Sequence, residues 1–367
     1  MKIKSIHLRD AGPLHDYSCD LCNTWEGGLH DLILISGVNG SGKSTLLRAV
    51  AHLWKMTGSW LSAPKNIAKN STESRKWLQQ CRGACVILQG VPHVRGYRSS
   101  NDTCLGIYFG DESFMRELQE KYPDVLWIGE YAYSTYAIES AERMLTRPSK
   151  TKLIHREDDW LNNLADEYRQ LILAGGFTMP NTIHLDSEER RWVRPTKGLG
   201  EIVPDDPKLR WLVNYKPQKE WSGQLEASLI ALKTVHEGIY FDVLEVMNAF
   251  LRPKELGPLP DAQTLRLPVR VPSQGGDQQH SLDDLSSGEH QILIQLFMVT
   301  RWMNPGGIVM IDEPDLHLHP SLLNSFLGQL EKLVKQRKGQ LILTSHNPDI
   351  WSRYENKGLR IRMGAGQ

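Results

Sequence analysis

The feature that most constrains this sequence is a glycine-rich loop between a short apolar run and an amphipathic stretch. The run Leu32-Ile33-Leu34-Ile35 leads into Gly37-Val38-Asn39-Gly40-Ser41-Gly42-Lys43-Ser44-Thr45, and residues 45–54 have the periodicity of a helix. The loop has the G-x-x-x-x-G-K-[ST] spacing, and a strand before it with a helix after it is the context in which this pattern binds phosphate. Its glycines allow successive N–H groups to point at phosphate oxygens beside the helix N-terminus.

We therefore predict a phosphate site in this loop. Lys43 is expected to reach the β- and γ-phosphates of a nucleotide, and the Ser44 hydroxyl is expected to ligate Mg²⁺. The predicted nucleotide-binding residues are Gly37, Asn39, Gly40, Ser41, Gly42, Lys43, Ser44 and Thr45.

Two further apolar runs lie near the other end of the chain, at Ile308-Val309-Met310-Ile311 and Leu341-Ile342-Leu343. Both are continuous rather than alternating, which is typical of strands buried on both faces of a parallel sheet. Polar residues follow each run at once, and ligands of open α/β sheets bind beyond the carboxyl ends of the strands. The sequence thus predicts an α/β fold in which the two distant ends of the chain fold together.

Three sets of polar residues accompany these runs. Asp312 and Glu313 end the first run, where Asp312 can hold Mg²⁺ and Glu313 can polarise an attacking water. His346 follows the second run. Ser286-Ser287-Gly288-Glu289 precedes an apolar helix and, taken alone, indicates only a capped helix start.

Together the four motifs resemble those of the ABC-type ATPases in order and spacing. Gly37–Ser44 looks like Walker A, Ile308–Glu313 like Walker B with its catalytic glutamate, Leu285–Glu289 like the signature motif, and His346 like the switch histidine. The stretch Asp312–Pro320 is similar to the soluble branch that contains RecF, the SMC heads and the OLD-type ATPases. It also resembles the ATPase subunits of anti-phage systems such as Septu and PARIS.

The resemblance implies a mechanism with ATP and Mg²⁺ as ligands. Lys43, Glu313 and His346 would be catalytic, while Ser44 and Asp312 would hold the metal ion. Two copies of the chain would enclose ATP, so that the signature of one copy completes the site of the other. The signature residues are Ser286, Ser287, Gly288 and Glu289. The glutamine-loop position stays open between Gln89 and the turn Ser187–Arg190.

The expected architecture is a P-loop NTPase of the ABC-ATPase head type. It has a mostly parallel core sheet, an antiparallel β subdomain and a helical insertion. We expect an N-terminal ATPase lobe with Walker A and the β subdomain at 1–125, a mainly helical lobe at 126–280, and a C-terminal lobe with the signature, Walker B and switch histidine at 281–367.

The composition bears on the expected partners, the cellular compartment and the state of the cysteines. Lys and Arg number 43, as do Asp and Glu, so the net charge argues neither for nor against a nucleic-acid partner, and a DNA site is not evident. The sequence has no apolar run near the roughly 20 residues that span a bilayer, and no signal peptide is recognisable, so we expect a cytoplasmic protein without a membrane partner. The cysteines leave two interpretations open, a zinc site or free buried thiols; they are Cys19, Cys22, Cys81, Cys85 and Cys104.

Several functional classes can be weighed against this organisation. The segment between Lys43 and Leu285 is much longer than the helical insert of a transporter subunit, and it lacks the long heptad runs of an SMC clamp. An OLD-type nuclease domain would follow His346, where little sequence remains. The leading hypothesis is a homo-oligomeric ATPase that controls a separate effector, for which a nuclease is the first candidate, in anti-phage defence. The alternatives are a RecF-like repair ATPase that binds DNA, and an ATP-dependent scaffold with negligible turnover.

Overall fold

The computed structural model describes residues 1–364 apart from 24–26, 63–71, 93–103, 134–149, 155–158, 175–178, 195–205, 217–223, 262–265, 274–275 and 277. The strands are β1 (Lys2–Ala11), β2 (Leu14–Asp20), β3 (Leu32–Gly37), β4 (Gly83–Gln89), β5 (Cys104–Asp111), β6 (Leu126–Tyr133), β7 (Lys150–Ile154), β8 (Thr182–Leu185), β9 (Leu212–Asn214), β10 (Glu255–Leu256), β11 (Pro268–Val271), β12 (Gln278–Ser281), β13 (Ile308–Ile311), β14 (Gln340–Ser345) and β15 (Leu359–Met363). The helices are α1 (Lys43–Ser62), α2 (Glu73–Leu78), α3 (Glu112–Lys121), α4 (Asp159–Ala174), α5 (Leu225–Val235), α6 (Glu237–Leu251), α7 (Ser287–Trp302), α8 (Pro320–Gln336) and α9 (Pro348–Lys357).

A parallel sheet joins the two ends of the chain. Its strands run in the order β15-β3-β14-β13-β8-β9, and each neighbouring pair is parallel. The apolar runs are continuous because successive side chains enter different cores: Ile33 and Ile35 of β3 pack on one side of the sheet, and Leu34 packs on the other. The predicted α/β fold with a parallel sheet is thus confirmed.

A second sheet has the order β2-β1-β4-β5-β6-β7 and is antiparallel except for the parallel pair β5–β6. It shares one hydrophobic core with α1 and with one face of the parallel sheet. Trp54 of α1 stacks on Trp211 with ring centroids 4.0 Å apart, which joins α1 to the start of β9. This sheet is the antiparallel β part that the sequence predicts.

The opposite face of the parallel sheet is covered by α5, α6, α7 and α8, together with the small antiparallel sheet β10-β11-β12. The predicted lobe 126–280 therefore contains strands as well as helices. Its first strand, β6, is the neighbour of β5 in the antiparallel sheet, and β8 and β9 belong to the parallel sheet. Within the described ranges, no helix has the length and apolar character that crossing a membrane requires.

Candidate functional site

The predicted motifs follow neighbouring strands of the parallel sheet. Ser36 at the end of β3 pairs with Ser345 at the end of β14, and Leu343 of β14 pairs with Ile311 at the end of β13. The glycine-rich loop, His346 and the Asp312-Glu313 pair come directly after these three strands, so they lie at one edge of the sheet. The charged turn that begins at Asp186 follows β8, the next strand along.

The glycine-rich loop has the backbone that the motif requires. Gly40 and Gly42 have φ values of +79° and +92°, which favour glycine. A Cβ at Gly37 would lie only 2.5 Å from the Met363 carbonyl oxygen, so this position also excludes a side chain. The Lys43 ammonium folds back and donates to the Gly37 and Val38 carbonyl oxygens, at 2.9 Å each.

The start of α1 suits an anion. Lys43 is the first residue of this 20-residue helix, and the first turn carries no acidic side chain. Free N–H groups and the helix dipole at such an end favour a phosphate. Exchanging its two carbonyl contacts for phosphate oxygens would let the Lys43 ammonium serve as the counter-charge.

Asp312 is 1% exposed and is held by two hydroxyls. Thr344 Oγ1 donates to its Oδ1 at 2.5 Å, and Ser187 Oγ donates to its Oδ2 at 3.0 Å. A carboxylate with hydroxyl neighbours is the hard oxygen set that Mg²⁺ prefers. The donor chemistry therefore fits the ion that the sequence assigns to Asp312 and Ser44.

Glu313 and His346 lie together beside Asp312. The Nδ1 atom of His346 is 3.4 Å from Glu313 Oε1, and the two side chains are 51% and 22% exposed. The backbone of Glu313 is left-handed, with φ +46°, and its N–H donates to Thr344 Oγ1 at 3.0 Å. A partly exposed carboxylate held in this way can accept a hydrogen bond from a water molecule at the sheet edge.

The signature residues begin α7. Ser286 caps the helix: its Oγ accepts the Glu289 N–H at 3.3 Å, while Glu289 Oε2 accepts the Ser286 N–H at 2.8 Å. Burial alone would raise the pKa of Glu289, but hydrogen bonds from Lys254 and Ser286 bring it below its ordinary value. Ser286 and Ser287 remain exposed, so they are open to a second molecule.

Gly288, in contrast, is buried against the loop that follows Glu313. A Cβ at this glycine would lie 2.8 Å from the His317 carbonyl oxygen. His317 itself has a left-handed backbone, with φ +64°. The start of α7 and the loop that follows Glu313 therefore contact each other closely within one chain.

The other histidines and cysteines do not form a metal cluster in the part of the chain that the structure describes. His319 caps α8 by accepting the Ser321 N–H through Nδ1 at 3.3 Å. Cys19, Cys81 and Cys85 are free and buried, and burial raises the pKa of each thiol.

Sequence reasoning missed the roles of Thr344 and Arg48, and it missed the burial of Arg190, which it had named only within the turn Ser187–Arg190. Thr344 is the hydroxyl that joins Asp312 to Glu313. Arg48 of α1 binds Asp186 at 2.7 Å and ties the phosphate-loop helix to the charged turn; burial opposes the ionised form of Asp186, but Arg48 brings its pKa below the ordinary value. Arg190 is fully buried behind Asp312. For Arg190, and for the Asp186 that pairs with Arg48, the sequence signal was the charged turn Asp186–Arg191 after a strand.

That turn also bears on the open glutamine-loop position. Ser187 contacts Asp312 at the sheet edge, whereas Gln89 ends β4 in the antiparallel sheet, paired with Lys2 and Cys104. Of the two alternatives, the turn Ser187–Arg190 is the one that lies at the site.

Comparisons with known proteins give matches at both ends of the chain. The family models of an AAA ATPase domain and an AAA domain match residues 214–351 and 1–56. The retron Ec83 probable ATPase of Escherichia coli is 30% identical over 163 residues, which are 40% of this chain and 30% of that protein. The Septu protein PtuA of Bacillus mycoides strain KBAB4 is 40% identical over 74 residues, 18% of this chain and 10% of the relative.

The chain thus spans less than a third of the length of these curated relatives. Among solved structures, an SMC head bound to the C-terminal winged-helix domain of ScpA aligns over 96% of this chain and 92% of its own, with 12% identity and a TM-score of 0.46. The sequence matches show AAA-type ATPase segments at both ends of this chain, and its four motifs resemble those of the ABC-type ATPases.

Proposed function

We propose that the chain binds and hydrolyses ATP between two copies of itself and thereby controls a separate effector in defence. One observation carries the proposal: phosphate-loop, Walker B and switch-histidine residues from both ends of the chain lie at one sheet edge, while Ser286 and Ser287 stay exposed. A site with an exposed signature is complete only when another copy supplies that signature. ATP binding and dimerisation are then one coupled equilibrium.

In this proposal each residue has one task. The loop 37–45 binds the phosphates through backbone N–H groups, and Lys43 leaves the Gly37 and Val38 carbonyl oxygens for the β- and γ-phosphates. Ser44 and Asp312 would hold Mg²⁺, which would supply positive charge to the phosphate oxygens. Glu313 accepts a proton from the attacking water and His346, 3.4 Å away, orients that carboxylate beside the γ-phosphate.

The second copy contributes its signature. Ser286 Oγ and the N–H groups at the start of α7 would bind the γ-phosphate held by the other copy's Lys43. Glu289 keeps the helix start in place through its cap and its 2.7 Å contact with Lys254, rather than touching the nucleotide. The dimer would close when ATP binds and reopen after hydrolysis, and the effector would bind these two states differently.

The effector part of the proposal is supported by the related defence proteins, a retron ATPase and a Septu protein. A nuclease is the effector we propose first. Affinity purification of the chain with the proteins encoded beside it tests this point. We expect one of them to co-purify and to be a nuclease. Recovery of the chain without any other protein would contradict this point, and its recovery with DNA only would favour the RecF-like alternative.

ATP turnover by the purified chain tests the enzymatic part. We expect Mg²⁺-dependent release of phosphate by the wild type and none above background by Lys43→Ala. Lys55→Ala is the matched control, because Lys55 is exposed on the same helix, α1, and should keep full turnover. Equal activity of wild type and Lys43→Ala would contradict the proposal.

A further inference from the structure

Arg190, in the charged turn after β8, is buried where a surface residue is expected. It is 0% exposed, and its guanidinium donates to three main-chain carbonyls: Asp186 at 3.2 Å, Glu313 at 2.9 Å, and Asp312. Burial lowers the pKa of Arg190 to about 10, although the nearby carboxylates, Asp312 first, oppose this. The side chain is therefore a cation at neutral pH, and the cost of removing it from water is offset only by hydrogen bonds and nearby negative charges.

Its contacts fix the main chain of the candidate general base. Glu313 has the left-handed φ of +46°, which residues other than glycine rarely adopt. Thr344 holds its N–H and Arg190 holds its carbonyl oxygen. Both peptide groups that flank the Glu313 side chain are thus hydrogen-bonded, and this fixes the main chain from which the carboxylate extends.

The same turn is bonded to the signature helix. Gln291 of α7 donates from Nε2 to the carbonyl oxygen of Arg190. One turn later, Gln295 donates to the Gln291 carbonyl oxygen at 3.1 Å and approaches that of Pro314 at 3.4 Å. The helix that begins at Ser286 therefore contacts both the Arg190 turn and the residue after Glu313.

Some polar atoms of this connection remain unused. Arg190 Nη1, Gln291 Oε1 and Gln295 Oε1 are buried and make no hydrogen bond within the described residues. Buried unpaired polar atoms are rare, and each calls for an explanation. Arg190 Nη1 is a donor and the two Oε1 atoms are acceptors, so a shift of α7 against the turn could bring a donor and an acceptor together.

We propose that Arg190 is a positioning residue that holds Glu313 in its hydrolytic geometry and transmits to it the position of α7. The proposal rests on the ATP-hydrolysing function proposed above. Engagement of Ser286 with a nucleotide would move α7, Gln291 would carry the movement to the turn, and the Arg190 guanidinium would pass it to the Glu313 carbonyl. Arg190 then governs the rate of hydrolysis and not the affinity for ATP.

The test compares Arg190→Met and Arg190→Lys with a matched control, Arg337→Met. Arg337 also donates to three main-chain carbonyls, those of Val299, Thr300 and Met303, but at the far end of α7. For each variant, thermal unfolding, the Kd for a fluorescent ATP analogue and kcat for ATP are measured. We expect Arg190→Met to lower kcat by about 100-fold with Kd within threefold, because small displacements of a catalytic group have effects of that order.

Arg190→Lys keeps the charge but not the fork of donors, and we expect kcat between those of Arg190→Met and the wild type. Arg337→Met should keep kcat within twofold even if its melting temperature falls. A double variant adds a readout that a purely structural role would not change. If Arg190 acts through Glu313, Arg190→Met should change the residual kcat of Glu313→Gln by less than twofold.

The outcomes separate the two proposals. A wild type without ATP turnover would overturn the proposed function and this inference with it. If the wild type hydrolyses ATP, either of two results would overturn the inference alone. One is an equal loss of kcat in Arg190→Met and Arg337→Met; the other is a full further loss of kcat when Arg190→Met is added to Glu313→Gln. If neither Arg190 variant folds, Gln291→Met decides: a roughly tenfold lower kcat at unchanged Kd supports the inference, and an unchanged kcat overturns it.

Discussion

Thr344→Val should destabilise the chain strongly although it changes little in shape. Thr344 is fully buried, and its hydroxyl donates to Asp312 Oδ1 at 2.5 Å while accepting the Glu313 N–H at 3.0 Å. A hydrogen bond to a charged group contributes about 1.5–3 kcal/mol, and leaving a buried N–H unpaired costs about 1–3 kcal/mol. Asp312 keeps its bond from Ser187, so we expect the free energy of unfolding to fall by about 3 kcal/mol.

Urea unfolding followed by tryptophan fluorescence measures this loss. Thr234→Val is the matched control, since the Thr234 hydroxyl only donates to the Ile230 carbonyl on an exposed helix surface. We expect the control to stay within about 0.5 kcal/mol of the wild type. We also expect Thr344→Val to lose at least tenfold in kcat, because Asp312 and Glu313 lose their common support. Equal stability of the two variants would refute the role assigned to this hydroxyl.

Two further predictions follow from buried positions. Gly288→Ala should lower the free energy of unfolding by about 1–3 kcal/mol and weaken ATP-dependent association, because its Cβ would lie 2.8 Å from the His317 carbonyl oxygen. Gly238→Ala in α6 is the control, because a Cβ there meets open space. Equal melting temperatures of the two variants would contradict the prediction. Burial lowers the pKa of His7, His52 and His184 to about 4 from 6.5, so the unfolded chain binds more protons between these pH values. The free energy of unfolding should therefore fall as pH is lowered from 6.5 to 4, and urea midpoints that do not change between pH 7 and pH 5 would exclude this.

The sequence predicted the parallel sheet because its strands are buried on both faces. In β13, Ile308 and Met310 enter one core while Val309 and Ile311 enter the other, so no polar residue interrupts the run. The glycine-rich loop was equally predictable, since its spacing and its left-handed glycines have few structural alternatives. These local patterns identified the three strands that precede the predicted site residues.

The supporting residues could not be predicted in the same way. Arg190 lies in a highly charged turn, Asp186–Arg191, of the composition that ordinarily faces solvent, and its burial results from β13 and α7 packing over it. Thr344 continues an apolar strand and carries no signal of its own. Strands β8 and β9 come from the middle of the chain, where short apolar segments gave no indication of which sheet they join.

The central claim is that ATP joins two copies of this chain through the exposed signature. Sedimentation velocity of Glu313→Gln, with and without ATP and Mg²⁺, tests it most directly, because blocked hydrolysis should trap the closed state. We predict that ATP raises the mass of Glu313→Gln by a further copy of the chain, and that adding either Lys43→Ala or Ser286→Arg abolishes the change. A Glu313→Gln protein that binds ATP and keeps the same mass would contradict the account.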